Sequence, residues 1–299
     1  ARGFLAQESP EDLEECLGRL KALRPRSDAT AALAAKMLFR DGKKAEAEKV
    51  FRKLAAKGTE DSAVLYLLGL ILSERGERAE AVGLLRRACA LESGFPLYWF
   101  RLAEALFLSG DAEGAAEPLS RARDLAPGDG WILNLGGLLA ERRGDSGEAI
   151  RCFRAARETL PDQVEPAGNL AEALDAAGST AEALEILRGY QEEDFAAIFR
   201  ELEGLPIIIR LLDLPLHEFL PSETDADVPR VREMVRELRE VNPMIGHRGV
   251  RLGVTNPEIY RMQIRAILEA AAECQVAGVE VHPEIMIPQV CTAQDLTQV

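Results

Sequence analysis

The sequence contains no run of about 18 apolar residues, the length that a membrane-spanning helix needs. A charged stretch followed by an apolar one, which would predict a signal peptide, is also missing from its start. The five cysteines are scattered without C-x-x-C spacing, so neither a disulfide framework nor a zinc site is predicted. We therefore expect a reduced, cytoplasmic chain without a membrane partner.

Basic residues are also scarce, since 36 Lys and Arg stand against 50 Asp and Glu, for a net charge of −14. Binding to a phosphate backbone needs a clustered basic face, and none is found, so nucleic acid is not an expected partner. Aromatic residues make up only 5% of the chain while alanine is abundant, which favours helices that pack through small side chains. A length of 299 residues suggests about two domains.

A 34-residue repeat organises the first part of the chain. Glycines recur at this spacing, at Gly42, Gly76, Gly110, Gly144 and Gly178. An alanine follows each glycine by five residues, at Ala47, Ala81, Ala115, Ala149 and Ala183. A large apolar residue follows by nine, at Phe51, Leu85, Leu119, Phe153 and Leu187. Glycine permits the turn inside a helical hairpin, alanine permits close helix approach, and the large residue fills the space between hairpins.

This pattern resembles the tetratricopeptide repeat and implies an α-solenoid of helix hairpins over residues 1–190. The units run over about 28–61, 62–95, 96–129, 130–163 and 164–197. A partial leading repeat precedes them, with Leu13, Leu17, Leu20 and Pro25 in a second helix and Phe4 in the first. Solenoids usually end in polar caps, so this start predicts that the 299 residues are a fragment of a longer chain.

Such a solenoid binds a protein or peptide in a groove lined by the first helix of each unit. The residues predicted to line the groove are Tyr66, Leu70, Phe100, Phe107, Trp131 and Asn134. Because most of them are apolar, we expect the groove to bind a helix or an extended apolar segment. The alternative is that several of these rings only pack between helices. Trp131 and Phe100 are expected to be exposed, since Trp99 is predicted to fill the aromatic core position of its unit.

After residue 190 the register ends and the pattern becomes that of alternating strands and helices. The apolar run from 205 to 213 predicts a buried strand, and Pro283–Pro288 predicts another. The 3–4 spacing of Val231, Met234, Val235 and Leu238 predicts a helix between them. A second helix is predicted from an N-cap at Asn256 to a stop at Gly278.

Three segments here resemble pyruvate, phosphate dikinase. They are GLPIIIRLLDLPLHEFLP from Gly204, NPMIGHRGVRLGVTNPEIYRMQIRAI from Asn242 and HPEIMIP from His282. The resemblance implies that residues 191–299 are an incomplete α/β, TIM-barrel-like segment of the phosphoenolpyruvate-utilising class, with room for about three strands. It also implies that Arg210 and Arg248 contact the phosphate or carboxylate of phosphoenolpyruvate or pyruvate.

Several features of that family have no counterpart in this sequence. Its metal-binding Glu and Asp lie on later strands, so the Mg²⁺ of a complete member has no predicted ligands here and no cofactor is expected in this chain. The acid cysteine and the phosphorylated-histidine domain are also missing: Cys291 stands where the family has glycine, and Val250 replaces the cysteine of GHRGC. We therefore assign no catalytic residue and do not expect the chain to catalyse a reaction alone.

Three hypotheses about function are consistent with this sequence. The chain is an interaction scaffold that carries a truncated dikinase-like segment, or it is a fragment of a phosphotransferase that interconverts pyruvate and phosphoenolpyruvate. In the third, truncation or faulty assembly has joined two unrelated genes, and the product has no single function. The scaffold is the function that the repeats support.

Overall fold

The computed structural model describes residues 10–24, 27–213 and 246–298. The chain divides into two compact units, Ala1–Pro166 and Ala167–Val299. The predicted limit at residue 190 marks the end of the 34-residue register, which is a different property from compactness. The domain limits 1–190 and 191–299 therefore stay a prediction. The position at which the repeats end also stays a prediction.

Helices follow one another over the repeat region, and most are 13 or 14 residues long. They are α1 (Pro10–Leu23), α2 (Asp28–Arg40), α3 (Lys44–Ala56), α4 (Ser62–Glu74), α5 (Arg78–Leu91), α6 (Pro96–Leu108), α7 (Ala112–Leu125), α8 (Gly130–Arg142), α9 (Ser146–Thr159), α10 (Val164–Ala176) and α11 (Thr180–Glu201). Helix α1 confirms the second helix of the leading partial repeat, whereas Phe4 and Pro25 lie outside the described residues.

The periodic glycines lie in the turns between paired helices, as predicted. All five have φ between +77° and +87°, the left-handed region that glycine adopts without strain. The residue after each glycine donates its N–H to a carbonyl near the helix end, for example Lys43 to Leu38 at 2.8 Å and Asp145 to Ala140 at 3.0 Å. This hydrogen bond satisfies a carbonyl of the last helical turn, which has no N–H partner within the helix.

The other two periodic classes form the core of the repeats. The first four alanines of the series are fully buried, and so are Phe51, Leu85 and Phe153. Leu187, the large residue of the fifth unit, departs from the pattern because it is 39% exposed. Its helix, α11, has 22 residues and so differs in length from the second helices of the preceding repeats, which have 13 or 14.

The second unit adds two strands and three helices to the end of the repeats. They are β1 (Pro206–Arg210), α12 (Val250–Thr255), α13 (Pro257–Val276), β2 (His282–Met286) and α14 (Ala293–Gln298). These elements confirm both predicted strands and the helix before Gly278. The prediction that the first strand is buried was wrong, because only Ile207 of β1 is buried and Ile208 is 59% exposed. Asn256 is at the N-cap of α13 but makes no side-chain capping bond; its Oδ1 accepts from Thr255 Oγ1 at 3.0 Å instead. The helix predicted around Met234 lies outside the described residues.

Strands β1 and β2 pair in parallel, with Pro206 opposite His282 and Arg210 opposite Met286. Helices α11 and α13 cover the sheet through a shared apolar core, in which Phe199, Ile267 and Cys274 are fully buried. Ion pairs reinforce the contact between these helices, including Arg188 with Glu269 at 2.5 Å. Over the described ranges the sheet has two strands, so the structure shows a small parallel βα arrangement, and the barrel-like fold stays a prediction.

Candidate functional site

The candidate site lies where β1 ends, because the chain changes there from apolar to charged residues. Ile207 and Leu211 are buried, and the N–H of Leu211 donates to Met286 O of the neighbouring strand at 3.0 Å. Arg210 is the last residue of the strand, and Asp213 follows three residues later with an almost completely buried side chain. Charged side chains at the carboxyl end of a parallel strand are well placed to contact a ligand.

Asp213 joins the two arginines that the sequence singled out. Its Oδ2 forms an ion pair with Nη2 of Arg210, and its Oδ1 accepts from Nε of Arg248 at 3.1 Å. Nη2 of Arg248 also donates to the backbone oxygen of Asp213 at 2.5 Å. Only 5% of the Asp213 side chain is exposed, against 15% for Arg248 and 57% for Arg210. We call these three residues the arginine–aspartate cluster.

Helix α13 holds the backbone just before Asp213 with two hydrogen bonds to Leu212. The hydroxyl of Tyr260 donates to Leu212 O at 2.9 Å, and Leu212 N–H donates to Oε1 of Gln263 at 2.9 Å. Burial, and secondarily the charge of Asp213, raises the pKa of Tyr260 to about 12. The phenol therefore stays protonated and keeps its role as a donor.

Gly249 closes the other side of the cluster. Its φ is +57°, and a Cβ added there would lie 2.9 Å from Oδ1 of Asp213 and 2.9 Å from the backbone oxygen of Pro288. The next residue, Val250, donates its N–H to the same Pro288 oxygen at 2.9 Å. Only a residue without a side chain lets the backbone approach Asp213 this closely.

A cavity of about 340 Å³ opens beside the cluster, lined by Arg210, Leu211, Leu212, Asp213, Arg248 and Gln263. A guanidinium carries five N–H donors in a planar fork that matches a carboxylate or a phosphate. Asp213 uses only some of the donors of Arg210, and this arginine is the most exposed member of the cluster. The arrangement suits a small anion at the surface of the unit.

The structure brings Arg210 and Arg248 together, as the resemblance led us to expect, while their role in binding a substrate stays a prediction. Asp213, Tyr260 and Gln263 were not predicted from the sequence. A signal was available for Asp213, because it is a charged residue directly after an apolar strand. Tyr260 and Gln263 lie one helical turn apart on α13, which places them on one face, but nothing in the sequence identified what that face contacts.

The described ranges contain no group of three or more His, Cys, Asp or Glu side chains placed to hold a metal ion. The carboxylate at the cluster, that of Asp213, has both oxygens engaged by guanidinium groups. The described residues of the cluster therefore do not fit Mg²⁺, and no step of the proposed function uses it.

The six predicted groove residues divide into two sets. Tyr66, Phe100 and Asn134 are buried, whereas Leu70, Phe107 and Trp131 are partly exposed. Tyr66 stacks on Tyr98 with ring centroids 4.7 Å apart, so this ring packs between helices. The amide of Asn134 donates to Glu165 Oε1 at 3.2 Å.

The expectation that Phe100 is exposed was wrong, since only 8% of the residue is accessible. Its helix, α6, belongs to a central repeat and contacts helices of the hairpins on both sides, which cover the ring. The core assignment of Trp99 was also wrong. Tyr98 is the fully buried ring, while Trp99 is partly exposed and donates its indole N–H to Ser93 O at 2.8 Å.

Among the helices of the described residues, none combines the length and the apolar composition needed to cross a membrane.

Comparison with known proteins finds different families at the two ends of the chain. A tetratricopeptide-repeat family model matches residues 32–94 and 66–130. A model of the PEP-binding domain of PEP-utilising enzymes matches residues 152–299. A crystal structure of the protein MamA aligns with a TM-score of 0.51 and 18% identity, covering 60% of this chain and 98% of that one. At this identity the match shows the fold alone.

Curated relatives match the C-terminal part. Pyruvate, phosphate dikinase 1 of Arabidopsis thaliana is 51% identical over 126 residues, covering 38% of this chain and 13% of the plant enzyme. Pyruvate, phosphate dikinase of Entamoeba histolytica is 50% identical over 123 residues, with 36% and 14% covered. The chain thus spans about one seventh of the length of these relatives. The chain is thus similar to tetratricopeptide-repeat proteins over residues 32–130 and to the PEP-binding domain of PEP-utilising enzymes such as pyruvate, phosphate dikinase over residues 152–299.

Proposed function

We propose that the repeats bind an apolar segment of a partner protein. The observation that supports this function is the partial exposure of Leu70, Phe107 and Trp131, three large apolar side chains at first-helix positions of successive repeats. Groups of this kind are the usual anchors of a protein interface. The guanidinium of Arg142 lies 5.3 Å from the ring centroid of Phe107 and supplies a polar edge.

Fluorescence offers a direct test, because the chain has two tryptophans and one of them is a predicted groove residue. In a Trp99→Phe background, Trp131 becomes the single reporter. A displayed library of amphipathic helical peptides is selected against this protein, and the affinity of the best peptide is measured by titration. We expect the emission of Trp131 to shift when the peptide binds.

Matched substitutions locate the binding surface. Leu70→Asp and Phe107→Asp are combined in one variant, and Leu91→Asp and Leu125→Asp in a control, since the last two side chains are 44% and 45% exposed at the ends of second helices. Loss of two anchors is expected to weaken binding by more than about tenfold. Equal affinities in the two variants, or no shift of Trp131 emission, would contradict the groove proposal.

A second function is favoured by the convergence of Arg210 and Arg248 on one carboxylate beside the cavity. We propose that they bind a small carboxylate or phosphate anion of the phosphoenolpyruvate and pyruvate class. Two guanidiniums in reach of one ligand can bind both its acidic groups, which a single arginine cannot.

Calorimetric titration with phosphoenolpyruvate, pyruvate and inorganic phosphate tests this site. Arg210→Gln and Arg248→Gln should each weaken binding at least tenfold, because a charge-assisted hydrogen bond contributes about 1.5–3 kcal/mol. Arg261→Gln is the control, since Arg261 is an exposed arginine of α13 outside the cavity. Equal binding by all three variants would exclude the cluster as the anion site.

The phosphotransferase alternative uses the same two arginines and needs protein beyond this chain. A partial (β/α) barrel for the C-terminal segment belongs to that proposal, and parallel pairing of β1 and β2 supports it. We also propose a cytoplasmic location, which the five unpaired cysteines support because thiols stay reduced there.

A further inference from the structure

We propose that Asp213 is a positioning residue that holds Arg210 and Arg248 together as one anion-binding unit. This inference rests on the anion site proposed above. Its role follows from the contacts of its two carboxylate oxygens.

The need for such a residue follows from the charges. Two guanidiniums that converge on one cavity repel each other, and Arg210 is 57% exposed, so its long side chain is free to turn into solvent. Asp213 offers Oδ2 to Arg210 and Oδ1 to Arg248, so that one carboxylate pairs with both charges. The net charge of the cluster falls from two to one, while both guanidiniums stay beside the cavity.

Asp213 is itself held from three sides. Tyr260 and Gln263 bind the Leu212 peptide before it, Arg248 binds its backbone oxygen, and Gly249 packs against its carboxylate. A carboxylate fixed in this way cannot follow Arg210 outward. It therefore sets the position of the arginine, and not the reverse.

The contacts also leave donors for a ligand. Arg210 uses one nitrogen, Nη2, in its ion pair with Asp213, and the same residue lines the cavity. Gln263 accepts through Oε1, which leaves its amide N–H groups at the same cavity. An incoming carboxylate or phosphate can bind these donors without displacing Asp213.

The first measurement needs no ligand. The Nε proton of Arg248 donates to Asp213, so it is protected from exchange with water and gives a ¹⁵N resonance, assigned by its loss in Arg248→Lys. In Asp213→Asn this proton should exchange at least about tenfold faster, because a bond to a charged acceptor is lost. Glu284→Gln removes the same charge from an exposed position of β2 and should leave the exchange rate unchanged.

The second measurement is calorimetric titration with phosphoenolpyruvate. Asp213→Asn should weaken binding about threefold to tenfold, since the ligand must then order the side chain of Arg210. Removing a negative charge also reduces the long-range repulsion of an anion, which would strengthen binding. Titrations are therefore run at about 0.15 M and 1 M salt, where screening lengths are about 8 Å and 3 Å, so that this effect is screened at the higher concentration. Glu284→Gln reports the size of that long-range effect.

The results distinguish the positioning role of Asp213 from the anion site itself. The positioning role is supported if Asp213→Asn shows both faster exchange of the Arg248 Nε proton and weaker phosphoenolpyruvate binding at 1 M salt. Glu284→Gln should show neither change. Unchanged exchange overturns it, and so does unchanged affinity in a variant that exchanges faster. If the wild-type protein binds no anion while Asp213→Asn still loses protection, the proposed anion site fails and the pairing of the arginines stands. Asp213→Ser, which is smaller and keeps an acceptor, takes the place of Asp213→Asn if circular dichroism shows that the amide variant is unfolded.

Discussion

The close approach of Gly249 to Asp213 predicts that Gly249→Ala opens the second unit locally. Gly249 has φ +57° and ψ −135°, a backbone conformation found almost only in glycine, so alanine there costs about 1–3 kcal/mol. Its Cβ also meets Asp213 Oδ1 and Pro288 O at 2.9 Å, which forces a shift of packed groups that costs about another 1–3 kcal/mol. The smaller entropy that alanine brings to the unfolded chain returns only about 0.4–1 kcal/mol.

Hydrogen exchange with mass spectrometry measures this effect where it occurs. The amides of Val250 and Leu211 are the reporters, because they donate to Pro288 O and Met286 O on the segment that must move. A local loss of about 2 kcal/mol corresponds to exchange about 30-fold faster. Peptides from α8 and α9, in the other unit, serve as the internal reference and should not change.

Gly278→Ala is the matched control. Gly278 also has a positive φ, +86°, but nothing lies within 4 Å of the position that its Cβ would take. This variant has a positive φ without the contact, so the difference between the two variants measures the contact with Asp213 and Pro288 together with the strain that the ψ of −135° adds at Gly249. If both variants exchange at the same rate, the segment around Pro288 moves without a measurable free-energy cost. A close contact of Gly249 with Asp213 is then not needed for the arginine–aspartate cluster.

Two further predictions concern the repeats. The hydrogen bond from Arg52, and then that from Arg75, holds the pKa of Glu48 below its ordinary value of 4.5. Glu48 therefore stabilises the fold above pH 4.5 and stops doing so as the pH falls through the folded-state value. Glu48→Gln should lower stability by about 1 kcal/mol near neutral pH, and melting temperatures of the two proteins should converge in acid. Phe153→Ala should cost about 3–5 kcal/mol in urea unfolding because the ring is fully buried, whereas Leu91→Ala, at an exposed position, should cost less than about 1 kcal/mol.

Much of the repeat region could be predicted because its signals are local and recur. Each repeat has a glycine with positive φ, an alanine at a close helix contact and a large apolar residue. The pattern is recognisable because it occurs five times in one register. The strands and helix after residue 200 could also be located, since an apolar run behind a glycine and a proline after an N-cap residue are short-range signals.

The groove was predicted less well for a physical reason. A first-helix position faces both the groove and the neighbouring hairpin, and the size of the neighbouring side chains decides which of the two covers a ring. Phe100 is covered while Trp131 is partly exposed, although both were predicted as exposed. Periodicity assigns a residue to a face of the helix but carries no information about how deep the adjacent side chains reach.

The sequence by itself predicted the repeat period, both strands of the second unit and helix α13, because each depends on residues close together in the chain, and a motif singled out Arg210 and Arg248. Only the tertiary structure decided that Arg210 and Arg248, 38 residues apart in sequence, share the carboxylate of Asp213. That contact depends on the parallel pairing of β1 with β2, on the two hydrogen bonds from α13 to Leu212 and on the missing side chain of Gly249. These are interactions between distant segments, which form only when the chain has folded.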